Sequence, residues 1–489
     1  MDEVGPCPRA VGRRTLVGVE GVPSHRAQLR KARLPVVEPL APEDLEILRL
    51  ESPTVAGHAL KIMILDPVGR GPRPDVEALR ARIADRIERA PRLRRKLNMG
   101  PGRRTAAAWV DDPGFDLREH VRPLPVAEPV SDDELRRIVA RVMEERLDRS
   151  RPLWTINVLD RLEDGGTTII WKIHHGIADG VTAMRFANEV LWDAPTNAGD
   201  LGHRASGHHE RAPASPLADV REALSGRWPG RLPPTLRREL QRTRHPSPFD
   251  GVISSSRTVA FASQPLGAVK RAAKALVRGA TVNDVVLALV AGGLRRWAEG
   301  GGGATLRVKV PVSLHHVAES AEAANRDSFF VVSLPLGEPD PVERLRRINA
   351  ETALCKRAGD AFVFDTLRAD LGHVAPPLWR LVERLTGHPR AFALNVSNVP
   401  GPRQRPSVLG APVRALYSIA EIRERHGLRV AVISMADELH FGLCADPLIV
   451  GGLDPLVTGI LAEASALVLR ADAAGADDAM ETAKIEPEH

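Results

Sequence analysis

The chain has 489 residues, 43% of them hydrophobic and 27% charged, with a formal net charge of +6. That length exceeds one ordinary core, so two domains plus tails are expected, with the composition of a globular protein. Aromatic residues make up only 4%, with a single tyrosine, which argues against ring stacking along single-stranded nucleic acid. Arginines crowd residues 1–36 and the stretch from His203 to His245, while residues 472–489 are acidic. Basic surface attracts phosphate of any source, and charge alone does not choose among sources. Cys7, Cys355 and Cys444 are scattered without pairing or metal-like spacing, so a reducing, cytoplasmic compartment is expected. No signal-type apolar region opens the chain, and the longest apolar run, Val285 to Leu294, is too short to cross a bilayer.

Residues 1–36 read as a basic flexible arm. Pro42-Glu43-Asp44-Leu45 looks like a helix start, followed by a strand around Ala59 to Leu65. The apolar spacing of Val76, Leu79, Ile83 and Ile87 predicts a helix to Ala90. Another is predicted from Asp132 to Leu147, with Ser131 as its cap and Glu134 at the capping-box position. Thr167 to Ile173 is β-rich and reads as a buried strand, leading into His174-His175-Gly176-Ile177-Ala178-Asp179-Gly180 and then an amphipathic helix, Val181 to Leu191.

From residue 194 to 250 the composition turns to Pro, His, Arg, Gly and Ser, as in a partly disordered linker with a short helix within Leu217 to Leu224. Beyond it, strands are expected at Arg257–Ala262, Leu306–Val312, Phe329–Leu334, Phe392–Val399, Arg429–Met435 and Leu439–Cys444. Helices are expected at Leu266–Leu276, Thr281–Trp297, Val342–Lys356, Pro376–Leu385 and Asp454–Leu469, with a disordered acidic tail over 471–489.

The chemistry concentrates at the strand-to-helix junction. Imidazole is the side chain best suited to accept a proton near neutral pH, and a histidine at a strand end beside glycine has room for a substrate. Asp179, four residues after His175, can return to hold the loop through an arginine or backbone amides, and Gly180 removes a Cβ where a ligand or chain would collide. Taken alone, a His-His pair is often incidental, and His208-His209 and His315-His316 also occur. Paired histidines also suit zinc, though no partner set with ligand spacing follows, and no Gly-x-Ser-x-Gly elbow supports serine hydrolysis.

His-His-x-x-x-Asp-Gly after an apolar strand resembles the signature shared by chloramphenicol acetyltransferases, condensation domains and plant acyl-CoA acyltransferases. Further blocks narrow the resemblance to the bacterial wax ester synthase/diacylglycerol acyltransferase family. They are Pro152-Leu153-Trp154, Asn283-Asp284, Pro311-Val312-Ser313 with Asn325 and Leu334-Pro335, Asn395 to Pro402 containing Ser397-Asn398-Val399-Pro400-Gly401, and Gly442 to Asp446. The likeness runs from about Leu40 to Leu469. Departures are the long basic arm, His315 where relatives commonly carry Arg, and Ala324 before Asn325.

The resemblance implies an α/β (α+β) fold of two chloramphenicol-acetyltransferase-like domains, residues 37–193 and 251–470, with mostly antiparallel sheets, packed helices and an active-site tunnel between them. It implies transfer of a long-chain acyl group from acyl-CoA, a substrate rather than a cofactor, to diacylglycerol or a fatty alcohol, without a metal. His175 is then the general base, His174 supports it, Asp179 orients the loop and Gly180 gives clearance. Asn283 and Asp284 are expected to support the interface between halves, although Asn283 also suits a plain helix cap; Trp154 reads as core or tunnel wall, and Ser397 and Asn398 as substrate-side or architectural. Other acceptors, a sterol, a polyketide hydroxyl or an amine, stay open, as does an inactive lipid-droplet or CoA-binding relative. Peripheral contact with the inner face of the plasma membrane or lipid inclusions is expected; nucleic acid is not.

Overall fold

The computed structural model describes residues 37–68, 73–99, 107–194, 234–298, 305–313, 327–358, 382 and 384–485. The basic arm, the short helix within Leu217 to Leu224 and nearly all of the helix from Pro376 to Leu385 lie outside them.

The first half contributes β1 (Val37–Pro39), α1 (Pro42–Arg49), β2 (His58–Leu65), α2 (Val76–Arg86), β3 (Arg95–Asn98), β4 (Ala108–Asp111), α3 (Leu117–His120), β5 (Val121–Pro123), α4 (Asp132–Glu144), β6 (Trp154–Leu159), β7 (Thr167–His174) and α5 (Gly180–Val190). The second contributes α6 (Pro234–Leu240), β8 (Thr258–Pro265), α7 (Leu266–Leu276), α8 (Val282–Trp297), β9 (Thr305–Ser313), β10 (Asp327–Pro335), α9 (Pro341–Ala358), β11 (Leu394–Pro400), β12 (Ser407–Val408), β13 (Ala411–Ala420), β14 (Leu428–Met435), β15 (Glu438–Ala445), α10 (Pro447–Val450) and α11 (Asp454–Ile485).

Two six-stranded sheets organise these elements, ordered β12-β13-β2-β7-β6-β5 and β10-β9-β11-β14-β15-β8; β1, β4 and β3 form a small third sheet. Pairing is mostly antiparallel, with β5 parallel to β6 and β11 parallel to both β9 and β14. Thr167 to His174 reads as an unbroken buried run because the first sheet is covered on both faces. Ile170 packs with Leu135 and Ile138 of α4 on one face, while Ile169, Trp171 and Ile173 join α2 and α5 residues on the other. In the second half α8 lies against α11, both over alternate residues of β9, β11, β14 and β15.

Three boundaries differ from those expected from sequence. Residues 234–250 are packed rather than loose: Phe249 is buried in the second core, and Glu239 accepts a hydrogen bond from the Val331 amide. The closing helix runs on past the expected acidic tail start to Ile485, because the small residues after Ala471 are as helix-compatible as they are acidic. Most consequentially, β12 and β13 leave the second half and join the first sheet. β13 pairs antiparallel with β2 from Ala420↔Ala59 to Val413↔Leu65, filling what would otherwise be an exposed edge of a long apolar strand. The expected C-terminal domain 251–470 therefore supplies strands to both sheets.

β13 also packs across β14 and β15, so it joins the halves. At the tightest point a Cβ on Gly442 would stand 2.1 Å from the Ser418 carbonyl oxygen, which only a backbone shift can relieve. Gly442→Ala is expected to destabilise the protein by about 1–3 kcal/mol or more, read as a fall in thermal midpoint. Gly475→Ala on exposed α11, where a Cβ meets nothing within 4 Å, is expected to leave the midpoint unchanged or raise it.

Candidate active site

The histidine motif is placed by the end of β7. His174 pairs with His58, and the ladder continues one step beyond, the His175 amide donating to the Gly57 carbonyl at 2.9 Å. The chain then turns, with the Ile177 amide donating to the His174 carbonyl at 2.9 Å. Asp179 ends the turn as N-cap of α5; its Oδ1 accepts from the Thr182 amide at 2.7 Å, and the residue is 3% exposed. Of the two ways Asp179 was expected to hold the loop, the structure displays the backbone amide. Gly180 is required by the chain: a Cβ there would lie 2.8 Å from Cγ2 of Val399 on β11. The start of α5 is thus pressed against the strand carrying Ser397 and Asn398.

His174 is fully engaged in the loop. Its Nδ1 accepts from the Gly176 amide at 3.0 Å, so in the neutral ring the proton sits on Nε2, which lies 3.0 Å from Glu51 Oε1 and donates to it. Glu51, just beyond α1, also takes Arg146 and Arg149; burial pushes its carboxyl up, but His174 first and then Arg149 hold it below the usual range. Together Glu51, Ser52, Pro53, Arg146, Arg149 and His174 line most of a surface pocket of about 580 Å³.

His175 faces a different environment. Along the ladder Gly57, Ala59 and Lys61 are alternate residues of β2 opposite His175, Ile173 and Trp171, which places Lys61 and His175 on one face of the sheet. The ring Nε2 is sealed from solvent. Burial drives the His175 pKa well below the ordinary 6.5, and the positive charges of Arg429 and Lys61, with His174, push it the same way; Asp179 opposes weakly. The imidazole is therefore neutral at pH 7. Its neighbouring cations come from both halves, Lys61 on β2 and Arg429 on β14.

Those cations belong to a buried polar seam. Lys61 Nζ donates to Ser418 Oγ of β13 at 2.7 Å, and Arg257 donates to Glu421 Oε1 at 2.9 Å. Arg429 donates to the Glu421 carbonyl, and the Ala56 amide to Glu421 Oε2. Burial raises the Glu421 carboxyl while Arg257 draws it down.

The remaining expected residues sit elsewhere. Trp154 is core: it is 1% exposed, donates Nε1–H to the Leu93 carbonyl at 2.7 Å and stacks on His120 at 4.6 Å. Asn283 is not the helix cap; Thr281 is, in a reciprocal capping box with Asp284. Asp284 accepts from the Thr281 amide and hydroxyl, from Asn349 Nδ2 at 2.9 Å and from Thr352 Oγ1 at 2.6 Å. It therefore fastens α9 to α8 inside the second half and does not support the interface between halves. Ser397 and Asn398 lie half-buried on β11 beside Ala431 and Val432 of β14.

Sequence reading missed Glu51, His58, Lys61, Ser418, Glu421 and Arg429. His58 is fully buried and donates Nε2–H to the Met143 carbonyl, its pKa lowered to about 3 by burial. The available signal was a lysine, Lys61, inside an otherwise apolar strand.

Comparison with known proteins places the chain in a family. Residues 40–286 match the model of the wax ester synthase/diacylglycerol acyltransferase catalytic domain, and residues 323–466 that of the WS/DGAT C-terminal domain. A putative diacylglycerol O-acyltransferase of Mycobacterium tuberculosis H37Rv is 30% identical over 487 residues, spanning 90% of this chain and 98% of that one. A probable diacylglycerol O-acyltransferase of the same strain is 29% identical over 416 residues, 80% of this chain and 87% of its own. Among solved structures, the wax ester synthase/diacylglycerol acyltransferase from Marinobacter aquaeolei VT8 aligns with a TM-score of 0.64 at 24% identity, over 89% of this chain and 100% of that one. The first condensation domain of the calcium-dependent antibiotic synthetase aligns at 0.56 and 16% identity, over 89% and 96%. Both structural likenesses speak to the fold.

Because Asp284 satisfies four donors in a buried setting, Asp284→Ala should cost about 1–3 kcal/mol of stability. Chemical denaturation measures it as a lower midpoint with unchanged slope.

Proposed function

Since the chain belongs to the wax ester synthase/diacylglycerol acyltransferase family, we propose that it moves a long-chain fatty acyl group from acyl-CoA to diacylglycerol or a long-chain fatty alcohol, with His175 as general base. The observation that carries the reading is an imidazole whose Nε2 is shielded from solvent at the β7–α5 junction, where burial and cations from both halves lower its pKa. An alcohol attacks a thioester poorly until its proton has somewhere to go as the carbon–oxygen bond forms. His175 accepts that proton, the alkoxide oxygen bonds to the thioester carbon, and the carbon–sulfur bond breaks. The imidazolium then returns the proton to the coenzyme A thiolate. No acyl-enzyme and no metal enter this scheme.

The supporting residues follow from the site. His174 holds the turn, Asp179 anchors α5, and Gly180 allows α5 to approach Val399. Lys61 and Arg429 raise the positive potential around the ring, which favours its neutral form and also favours negative charge developing on a carbonyl oxygen nearby. Among the described residues no helix is long and apolar enough to cross a membrane; a lipid acceptor nevertheless calls for contact with a membrane or inclusion surface, which belongs to the same proposal.

Radiolabelled long-chain acyl-CoA offered with diacylglycerol or hexadecanol, with the products separated by polarity, tests the activity; no labelled ester from either sinks the reading. His175→Ala is expected to lower kcat by about 10²–10⁴-fold in folded protein. The pH profile gives a second check. A base whose folded pKa is depressed stays unprotonated as pH falls through 6.5, so the acid limb of kcat/KM should lie clearly below 6.5. An acid limb at or above that value would count against His175.

A further inference from the structure

We infer that Glu51 is a positioning residue for the base, acting through His174 to hold the turn that presents His175. The inference rests on the reading of His175 as base and adds a residue that reading does not contain.

The relay is set out in hydrogen bonds. Arg146 and Arg149, from the segment after α4, grip the Glu51 carboxylate. Glu51 Oε1 accepts the His174 Nε2 proton at 3.0 Å, and the opposite nitrogen, Nδ1, accepts the Gly176 amide at 3.0 Å. A histidine ring can accept at Nδ1 only when that nitrogen carries no proton. A carboxylate at Nε2 selects that tautomer, as carboxylates do for histidines in other sites. Glu51 therefore determines whether His174 can receive the Gly176 amide, and Gly176 is the residue bonded to His175. Space is reserved for the arrangement. Gly57 has φ +72°, and a Cβ there would stand 2.7 Å from His174 Nε2; a Cβ on Gly176 would stand 3.1 Å from His174 Nδ1.

Neither end of the relay is spare surface. His174 is 2% exposed and Glu51 has an 11% exposed side chain, yet both line the 580 Å³ pocket beside the motif. Arg146 also ties the carbonyls of Ser52 and Val55, so the loop after α1 is bound to the end of α4 on one side and to the histidine motif on the other. Because Glu51 acts on an orientation rather than on reacting atoms, its loss should lower kcat and leave the KM for acyl-CoA nearly unchanged.

The test compares Glu51→Ala, Glu51→Gln, His174→Ala, His174→Gln and His174→Asn in the full chain, with His175→Ala alongside. Misplacing a base by about 1 Å costs about 100-fold, so Glu51→Ala and His174→Ala are expected to lower kcat by about 10- to 100-fold with KM within about twofold. Glu51→Gln keeps an oxygen to accept the Nε2 proton and should retain most of the rate. His174→Asn keeps an acceptor near the Nδ1 position and should recover more activity than His174→Gln, which keeps only the end facing Glu51. The Glu51→Ala/His174→Ala double variant should be no slower than the slower single one. Glu51→Ala at wild-type kcat, losses that simply add in the double variant, or His174→Gln outperforming His174→Asn would each overturn the relay. Should Glu51→Ala fail to fold, Glu51→Leu, which keeps the bulk and removes the acceptor, takes its place, and a wild-type kcat there overturns the relay. A rate unaffected by His175→Ala would instead remove the base assignment, which separates the two failures.

Discussion

The buried carboxylate of Asp179 satisfies the Thr182 amide in the first turn of α5, and in doing so it fixes where β7 ends and how the chain turns into the helix. An unsatisfied buried amide costs about 1–3 kcal/mol, so the turn cannot drift without losing that bond. Gly180 adds a steric condition from the other side, since α5 begins against Val399 of β11. The junction is thereby defined jointly by the first sheet, through the His175–Gly57 ladder bond, and by the second, through β11. The motif is a piece of secondary-structure geometry before it is a piece of chemistry.

The histidine itself gains its character from what surrounds it. The seam beside His175 contains Lys61, Arg257 and Glu421, tied by hydrogen bonds across elements distant in sequence, and Arg429, bonded to the Glu421 carbonyl eight residues away. Such groups are costly to bury unless paired. Desolvation is the largest influence lowering the proton affinity of the imidazole, and cations from both halves push it the same way. Removing the ring from water lowers its proton affinity, and the same removal favours its neutral form near neutral pH.

Much of this was legible in the chain. Helices with strong local signals came through: Ser131 caps α4 as expected, with the Glu134 amide at 3.3 Å, and Leu266–Leu276 is a helix over those same residues. β7 was readable because five of its eight residues, Thr167, Thr168, Ile169, Ile170 and Ile173, are β-branched. The site was legible only where residues adjoin in sequence. Glu51 is 123 residues from His174, and Ser418 is 357 from Lys61; no local period links them. A cap role for Asn283 is one alternative the sequence offers, but Thr281 two positions earlier supplies the capping hydroxyl; an interface role for Asp284 comes from its place in a family block, whereas its oxygens are taken by Thr281 and by Asn349 and Thr352 of α9. β13 escaped notice because Ala411 to Ala420 mixes proline, arginine and serine with its apolar residues, and its strand character is conferred by pairing with β2.

That pairing bears on how the protein comes into being. A ribosome releases β2 and β7 long before β13, so the first sheet waits with one flank of an apolar strand bare until residue 420 has emerged. Contacts this far apart in sequence slow folding, and an unpaired flank invites the wrong neighbour. The N-terminal half is thus a half in name only: expressed by itself it would lack the two strands that cover the edge of β2, and a cell making this protein has reason to shield that surface during synthesis.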